Sequence, residues 1–342
     1  MGFINLLLAI SPIAEGDMPS LNFIGQFLRM INDWTGNICW TMILFTLVLK
    51  LVTFPLDYIS RKSMKKNQMI QEMLAPELEK LEIQCKGDKN LYNQKMMARM
   101  KKEGYSMSGA CLPTLLTLGL FFVVFSAINS FATFSNASTY NALVDTYNQE
   151  TAGLSTEEIA DKQTEIDAQL VAVYKESNPS WLWIKNPLRP DTWVGAIPTF
   201  NEITTNSIGL TALKIPGSDT LARSDYGELT RGIRAEYGDS WNGFLVLPVL
   251  AMLSSFFSQW IMQKTQPQPQ AAAGGAGMTK FMMYFFPLLM VYFSVQYTSS
   301  FAIYIVSNSM FMLASTFLIN VIVTGKLKKE FAEKKKLSYD RR

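Results

Sequence analysis

Lys50 stands inside an otherwise apolar run, Ile38 to Leu56, and Thr46, Lys50, Thr53 and Asp57 recur at spacings of four, three and four. Those intervals place all four on one face of a helix. A lysine near the centre of a membrane helix costs ~2.5–3.5 kcal/mol on insertion scales, so such a charge ordinarily faces protein or water and marks function. The chemistry on offer is electrostatic: in a wet groove of low dielectric, a positive charge attracts the carboxylates of a passing polypeptide more strongly than bulk water allows. The competing reading is snorkelling. Lys50 lies about six residues from the inner end of its run, within ~9 Å at helical rise, close enough for its ammonium to reach headgroups. Snorkelling needs no stripe of polar neighbours, and the stripe therefore favours a water-exposed Lys50.

Polar groups recur at helical spacing in other apolar runs: Thr114 and Thr117 with Asn129, Ser255 with Gln259 and Gln263, and Tyr304 with Ser307 and Asn308. Taken singly, each reads as interhelical hydrogen-bond glue. Taken with Lys50 they line a hydrophilic groove, and the candidate set is Lys50, Thr46, Thr53, Thr117, Gln259, Tyr304, Ser307 and Asn308. Such a groove shortens the hydrocarbon path that a polar chain segment must cross.

Bond-making chemistry has little support. The sequence contains no histidine, which removes His-based triads, HExxH zinc sites and haem with a proximal His. Cys39, Cys85 and Cys111 are far apart and fit no metal or CxxC spacing, so they read as isolated apolar filler. No cofactor, metal or small-molecule substrate is expected, and the protein is read as a non-enzyme.

The elements that must position Lys50 follow from composition. Apolar residues make up 49% of the 342, charged residues only 17%, and the net charge is +3. Gathered into long runs, that mixture indicates a membrane class. Five runs are long enough for a ~30 Å hydrocarbon core: Ile38 to Leu56, Leu112 to Phe131, Gly243 to Met262, Phe281 to Tyr297 and Phe301 to Val323. The expected fold is an all-α membrane protein of five transmembrane helices, with a cytoplasmic helical hairpin between spans one and two and an outer insert between spans two and three. Its segments are an interfacial amino end (1–35, with an amphipathic helix around Leu21 to Trp34), span one (36–57), the hairpin (58–108), span two (109–132), the outer segment (133–242), span three (243–263), a Gln/Pro and Ala/Gly linker (264–280), span four (281–297), span five (300–323) and a basic tail (324–342). Phe3 to Ile10 lacks a preceding basic residue and a clear cleavage site, so a cleavable signal peptide is weakly supported.

Orientation follows from the Lys/Arg bias of the loops, heavy in 58–108 and in the tail, whereas the segment after span two is rich in Glu and Asp. Trp34, Trp40, Trp181, Trp183, Trp193 and Trp241 fall at or beyond the opposite ends of the spans, where an aromatic belt belongs. Both signals predict N-out, C-in.

In the hairpin, Ser60 to Gln84 and Asn90 to Glu103 read as helices joined by a turn at Cys85 to Lys89, with Pro76 interrupting the first or opening a second segment of it. Arg61, Lys62, Lys65, Lys66, Arg99, Lys101 and Lys102 form its candidate docking surface. The same charges would also serve simply to orient the protein on anionic lipid.

Several strings carry a resemblance. Lys50 with Phe54-Pro55-Leu56, Ala75-Pro76-Glu77-Leu78, Gly109-Ala110-Cys111-Leu112-Pro113, Leu182-Trp183 with Pro190-Asp191, Leu247-Pro248 with Gln259, and Phe286-Pro287 with Tyr304 and Ser307-Asn308 occur in the order found in the YidC insertase family. The chain resembles that family over roughly Leu21 to Lys329, in its Gram-positive-like five-span form. The resemblance implies an energy-independent insertase and chaperone for nascent membrane proteins in the bacterial plasma membrane. It implies work in the lipid bilayer, alone or beside the Sec translocon, with the signal recognition pathway and the ribosome as upstream partners. This chain departs from the family pattern in having Lys50 where Arg is usual, Thr117 and Gly119 where Gln and Pro are common, and an added stretch, Thr192 to Asn242. A small-solute transporter or channel is the alternative from another class. It predicts inverted repeats or a through-going polar path, and neither is evident.

Overall fold

The computed structural model describes the backbone of residues 9–85, 87–106, 108–204, 214, 221–238, 240–265 and 276–339, and side chains there except those of 89, 108–118, 263, 265, 276–283, 286 and 326–339. Among the described residues it is all helical, with two isolated β-bridges and no strand. The helices are α1 (Phe23–Thr35), α2 (Ile38–Gln84), α3 (Lys89–Lys102), α4 (Ser108–Thr151), α5 (Thr156–Asp161), α6 (Gln163–Ser177), α7 (Phe200–Thr204), α8 (Arg223–Tyr237), α9 (Val246–Thr265), α10 (Ala276–Gln296) and α11 (Ser299–Tyr339).

Among the described residues three helices are long and apolar enough to cross a membrane: α2, α4 from Gly119 to Thr151, and α11 from Ser299 to Gly325. Two shorter apolar stretches lie in α9 (Val246–Met262) and α10 (Pro287–Gln296). The chain divides into two compact units. The first comprises 1–46, 122–251 and 290–306, and the second comprises 47–121, 252–289 and 307–342.

In the first unit, α1 starts at Asn22, whose side chain accepts the Gly25 N–H at 2.7 Å, and ends at Gly36, where φ of 63° suits a residue without Cβ. The apolar run expected as span two ends at Phe131, but α4 continues to Thr151. It continues because its far half has a protein partner: Tyr140, Leu143, Val144 and Tyr147 are buried in one cluster with Ile166 and Leu170 of α6 and with Leu229 and Ile233 of α8. Beyond Thr151 the chain forms two further helices. A reciprocal capping box at Ser155 and Glu158 starts α5, and α6 follows from Gln163.

The added stretch is part of this same core. α8 approaches α6 so closely that a Cβ on Gly232 would lie 2.6 Å from the Asp167 Cβ. Buried polar groups lock the loops. Asn186 and Asn242 pair through main chain and amide, with the Asn186 N–H donating to Asn242 Oδ1 at 2.8 Å and Asn242 Nδ2 donating to the Asn186 carbonyl at 3.0 Å. The Arg189 carbonyl accepts both the N–H and the hydroxyl of Ser299, at 2.8 and 2.6 Å, which anchors the tight turn between α10 and α11.

In the second unit, α2 runs unbroken through Pro55 and Pro76, whereas an interruption at Pro76 was expected. Both rings lie on exposed positions. Buried Leu74 and partly buried Leu78, on either side of Pro76, pack into one cluster with Met96 and Met100 of α3, so tertiary contacts hold the helix in line across the missing N–H. Asp88 caps α3 by accepting from the N–H groups of Asn90 and Leu91, each at 3.0 Å. Asn67 then clamps the chain after α3 back onto α2, donating to the Ser106 carbonyl at 2.8 Å and accepting its N–H at 3.1 Å. The basic tail, expected as a separate segment from residue 324, continues α11 to Tyr339.

Candidate functional site

The polar face of α2 is formed as its spacing requires, but its members differ in what they can offer. Thr46 is fully buried and its hydroxyl donates to the Met42 carbonyl at 2.6 Å, a bond within its own helix turn. Thr53 donates to the Lys50 carbonyl at 3.4 Å. Lys50 is half-buried. The charged groups acting on it are Asp57 and Arg61, seven and eleven residues further along α2.

Arg61 belongs to this stripe rather than to an exposed docking surface. It is 6% exposed, and its Nη1 is buried with no hydrogen-bond partner among the described residues. The physical reason is register: Asp57 to Arg61 continues the spacing of four, and the face turned inward at Lys50 is still turned inward at Arg61. That continuation was the signal available in the sequence, and counting Arg61 among the hairpin's charges concealed it.

Beside the stripe lies an apolar contact. Phe54, Tyr58 and Met69 of α2 pack against buried Ile319 and Val323 of α11. Elsewhere in the second unit α9 and α11 are joined by small hydroxyls. Ser258 donates to the Ser309 carbonyl at 3.2 Å, and the Ser255 and Ser309 hydroxyls lie 3.5 Å apart. Gln259 on α9 and Ser307 and Asn308 on α11 are half-buried on these same helices. Among small residues the helices come close enough for such bonds, which is the glue expected of serines in membrane helices.

Two candidates stand apart. Tyr304 belongs to the first unit, is 5% exposed and stacks on Phe301 with centroids 6.0 Å apart, so it is a core side chain there. The side chain of Thr117 lies outside the described residues. Of the remaining basic candidates, Lys62, Lys101 and Lys102 are exposed. Lys65 donates to Gln68 at 2.8 Å, and Lys66 is half-buried. Arg99 is held between Glu77 of α2 at 2.9 Å and Glu103 at 2.7 Å.

Residues 30–326 match the model of the family described as 60Kd inner membrane protein. The chain belongs to that family. Curated relatives named membrane protein insertase YidC include one from Campylobacter jejuni, 33% identical over 103 residues, which are 30% of this chain and 19% of that protein. Others come from Helicobacter pylori, 31% identical over 119 residues, 35% of this chain and 20% of the relative, and from Jannaschia sp., 38% identical over 101 residues, 30% of this chain and 16% of the relative. The match thus spans a fifth or less of these relatives' own length. No solved structure matches the chain. Membership in the 60Kd inner membrane protein family agrees with the YidC-type motifs of the sequence, and with long apolar helices it makes this a multi-pass bacterial membrane protein.

Proposed function

We propose that this chain is a membrane protein insertase: it accepts hydrophobic segments of nascent membrane proteins at its cytoplasmic face, holds their polar tails near Lys50 and releases the segments sideways into lipid. The observation that carries the reading is a half-buried Lys50 on the continuous helix α2, with Asp57 and Arg61 as its charged neighbours, in a chain of the 60Kd inner membrane protein family. A positive charge maintained beside lipid attracts acidic residues of a client tail, and the low dielectric around it strengthens the attraction.

The proposed groove comprises Lys50, Thr53, Gln259, Ser307 and Asn308, with Thr117 as a supporting position. The hydroxyl bonds between α9 and α11 hold together the helices that carry Gln259, Ser307 and Asn308. In this reading the protein has five spans, N-out and C-in, and the part of α2 beyond Asp57, packed with α3, lies in the cytoplasm. Lys62, Lys65, Lys66, Lys101 and Lys102 then present a basic docking surface for incoming chains or the ribosome, with Arg61 and Arg99 committed to contacts within the protein. The signal recognition pathway and the ribosome act upstream, and the protein works alone or beside the Sec translocon. No bond is made or broken, so the work is that of an insertase and chaperone without a cofactor or an energy source of its own.

The test is insertion of a short single-spanning client, followed by protease protection, in a bacterium depleted of its own insertase. Wild type and Lys50→Arg are expected to support insertion, and Lys50→Glu to lower it at least tenfold at equal expression. Equal insertion by wild type and Lys50→Glu would reduce Lys50 to a snorkelling residue. A wild-type chain that integrates into the membrane yet inserts no client, including one from its own source, would sink the insertase reading.

A further inference from the structure

An extended segment near the amino end is bound by the protein as a peptide ligand would be. Asn148 and Asn141 on α4 each make a two-point contact with its main chain. Asn148 Oδ1 accepts the Ile10 N–H at 2.9 Å while its Nδ2 donates to the Ile10 carbonyl at 2.8 Å. Asn141 treats Ile13 in the same way, accepting at 2.8 Å and donating at 3.1 Å. The two asparagines are seven residues apart, two turns on one helix face and roughly 10.5 Å at helical rise. Ile10 and Ile13 are three residues apart, about 10 Å in an extended chain. The lengths agree, and the segment runs antiparallel to α4.

The segment is built for this conformation. Pro12 has a fixed φ and no N–H to leave unpaired, and it pushes Ser11 towards extended backbone. Ser11 and Pro12 are exposed, whereas Ile10 and Ile13 are each 6% exposed and sit in the core cluster of α4, α6 and α8. The contacts are therefore of two kinds: main-chain bonds that any residue but proline can make, and two aliphatic pockets that set the register. The same division is used wherever a protein reads an extended peptide.

We propose that Asn141, Asn148 and the adjoining apolar surface form a peptide-binding slot for an extended segment with aliphatic residues at positions one and four, and that residues 10–13 are its ligand in cis. The slot makes the amino-terminal segment a replaceable strap, held by reversible contacts of the same kind as a bound peptide.

The experiment uses the full-length protein in detergent with a specific protease site placed between Met18 and Leu21. After cleavage and washing, uptake of a fluorescent synthetic peptide of residues 9–18 is read by anisotropy. The nicked protein is expected to take up the peptide and the intact protein to exclude it. A peptide N-methylated at Ile10 and Ile13 keeps its apolar side chains but loses both N–H donors, and is expected to bind at least tenfold more weakly. Asn148→Leu in the nicked protein should weaken the normal peptide to a similar extent. No uptake by the nicked, washed protein would overturn the slot, as would equal uptake by intact protein or equal binding of the N-methylated peptide. Should the nicked or substituted chains lose their fold, amide hydrogen exchange on the intact wild type decides: Ile10 and Ile13 are expected to exchange at least a hundredfold more slowly than Ser11, and equal rates would overturn the proposal.

Discussion

Arg189 donates from Nη1 to Glu202 Oε1 at 3.0 Å while only 2% of its side chain is exposed. Its Nε donates to the Gly195 carbonyl at 2.9 Å, and the second oxygen of Glu202 accepts the N–H and the hydroxyl of Thr199. The pair thus ties the loop before α7 to the loop that carries Asn186 and Asp191. Burial by itself raises the Glu202 carboxyl, yet Arg189 and Thr199 together hold it below the usual carboxylate range. A depressed carboxyl contributes stability that is fully present above its unfolded value of about 4.3 and is lost as pH falls through the lower folded value. Thermal melts of the purified protein followed by tryptophan fluorescence should therefore show an acid limb that Glu202→Gln flattens. Arg189→Met, which leaves the carboxylate half-buried and unpaired, should cost about 3–5 kcal/mol at neutral pH. An acid limb unchanged by Glu202→Gln would place the titrating group elsewhere.

Asp191, fully buried, closes the start of α9. Its Oδ1 accepts the Phe244 N–H at 2.7 Å, and its Oδ2 accepts the Leu247 N–H at 2.6 Å and the Trp183 Nε1–H at 3.2 Å. The approach is so close that a Cβ on Gly243 would lie 1.8 Å from Oδ1. Gly243→Ala should destabilise by about 1–3 kcal/mol through overpacking, and Asp191→Ala by up to about 2 kcal/mol through loss of the cap. The double variant should lose less than the sum, because removing the carboxylate also removes the clash. Strict additivity in chemical or thermal unfolding would contradict the geometry.

The pairing of α2 with α3 rests on burial more than on charge. Arg99 bridges Glu77 and Glu103, but the three side chains are 35%, 57% and 36% exposed, and exposed pairs contribute about 0–1 kcal/mol. Met100 is fully buried among Ile70, Leu74 and Tyr105. Met100→Ala should cost about 2–5 kcal/mol. Limited proteolysis around Gly87 should accelerate strongly in Met100→Ala and barely in Arg99→Ala. The reverse order would make the ion pairs the main support.

Asp57 partly offsets the charge of Lys50. At seven residues along α2 the two are roughly 10 Å apart, and at an effective dielectric near 20 their interaction is on the order of 1.6 kcal/mol. If Lys50 attracts acidic client tails, Asp57→Asn should raise insertion of an acidic-tailed client by up to about tenfold and leave a neutral-tailed client unchanged. An equal effect on both clients would mean that Asp57 acts on the fold rather than on the charge.

The apolar character of the long helices and the polar stripe on α2 were legible because each depends on local periodicity: a helix face repeats every three or four residues whatever surrounds it. The same periodicity contained Arg61, but sequence has no measure of burial, and only packing distinguishes an inward guanidinium from the exposed Lys62 beside it. The lengths of α4 and α11 were not legible either. Hydropathy marks where a helix is apolar, whereas the far half of α4 is helical on a surface packed with α6 and α8. Helix continuity at Pro76 likewise follows from Leu74 and Leu78 packing across it. Local sequence alone determined that this is a helical membrane chain with a charge in its first long apolar helix. Tertiary structure decided what Asn186, Arg189, Asp191 and Asn242 do, and why Asn141 and Asn148 matter, because pairs such as Asn148 with Ile10 are 138 residues apart in the chain and contacts at that separation leave no periodic trace.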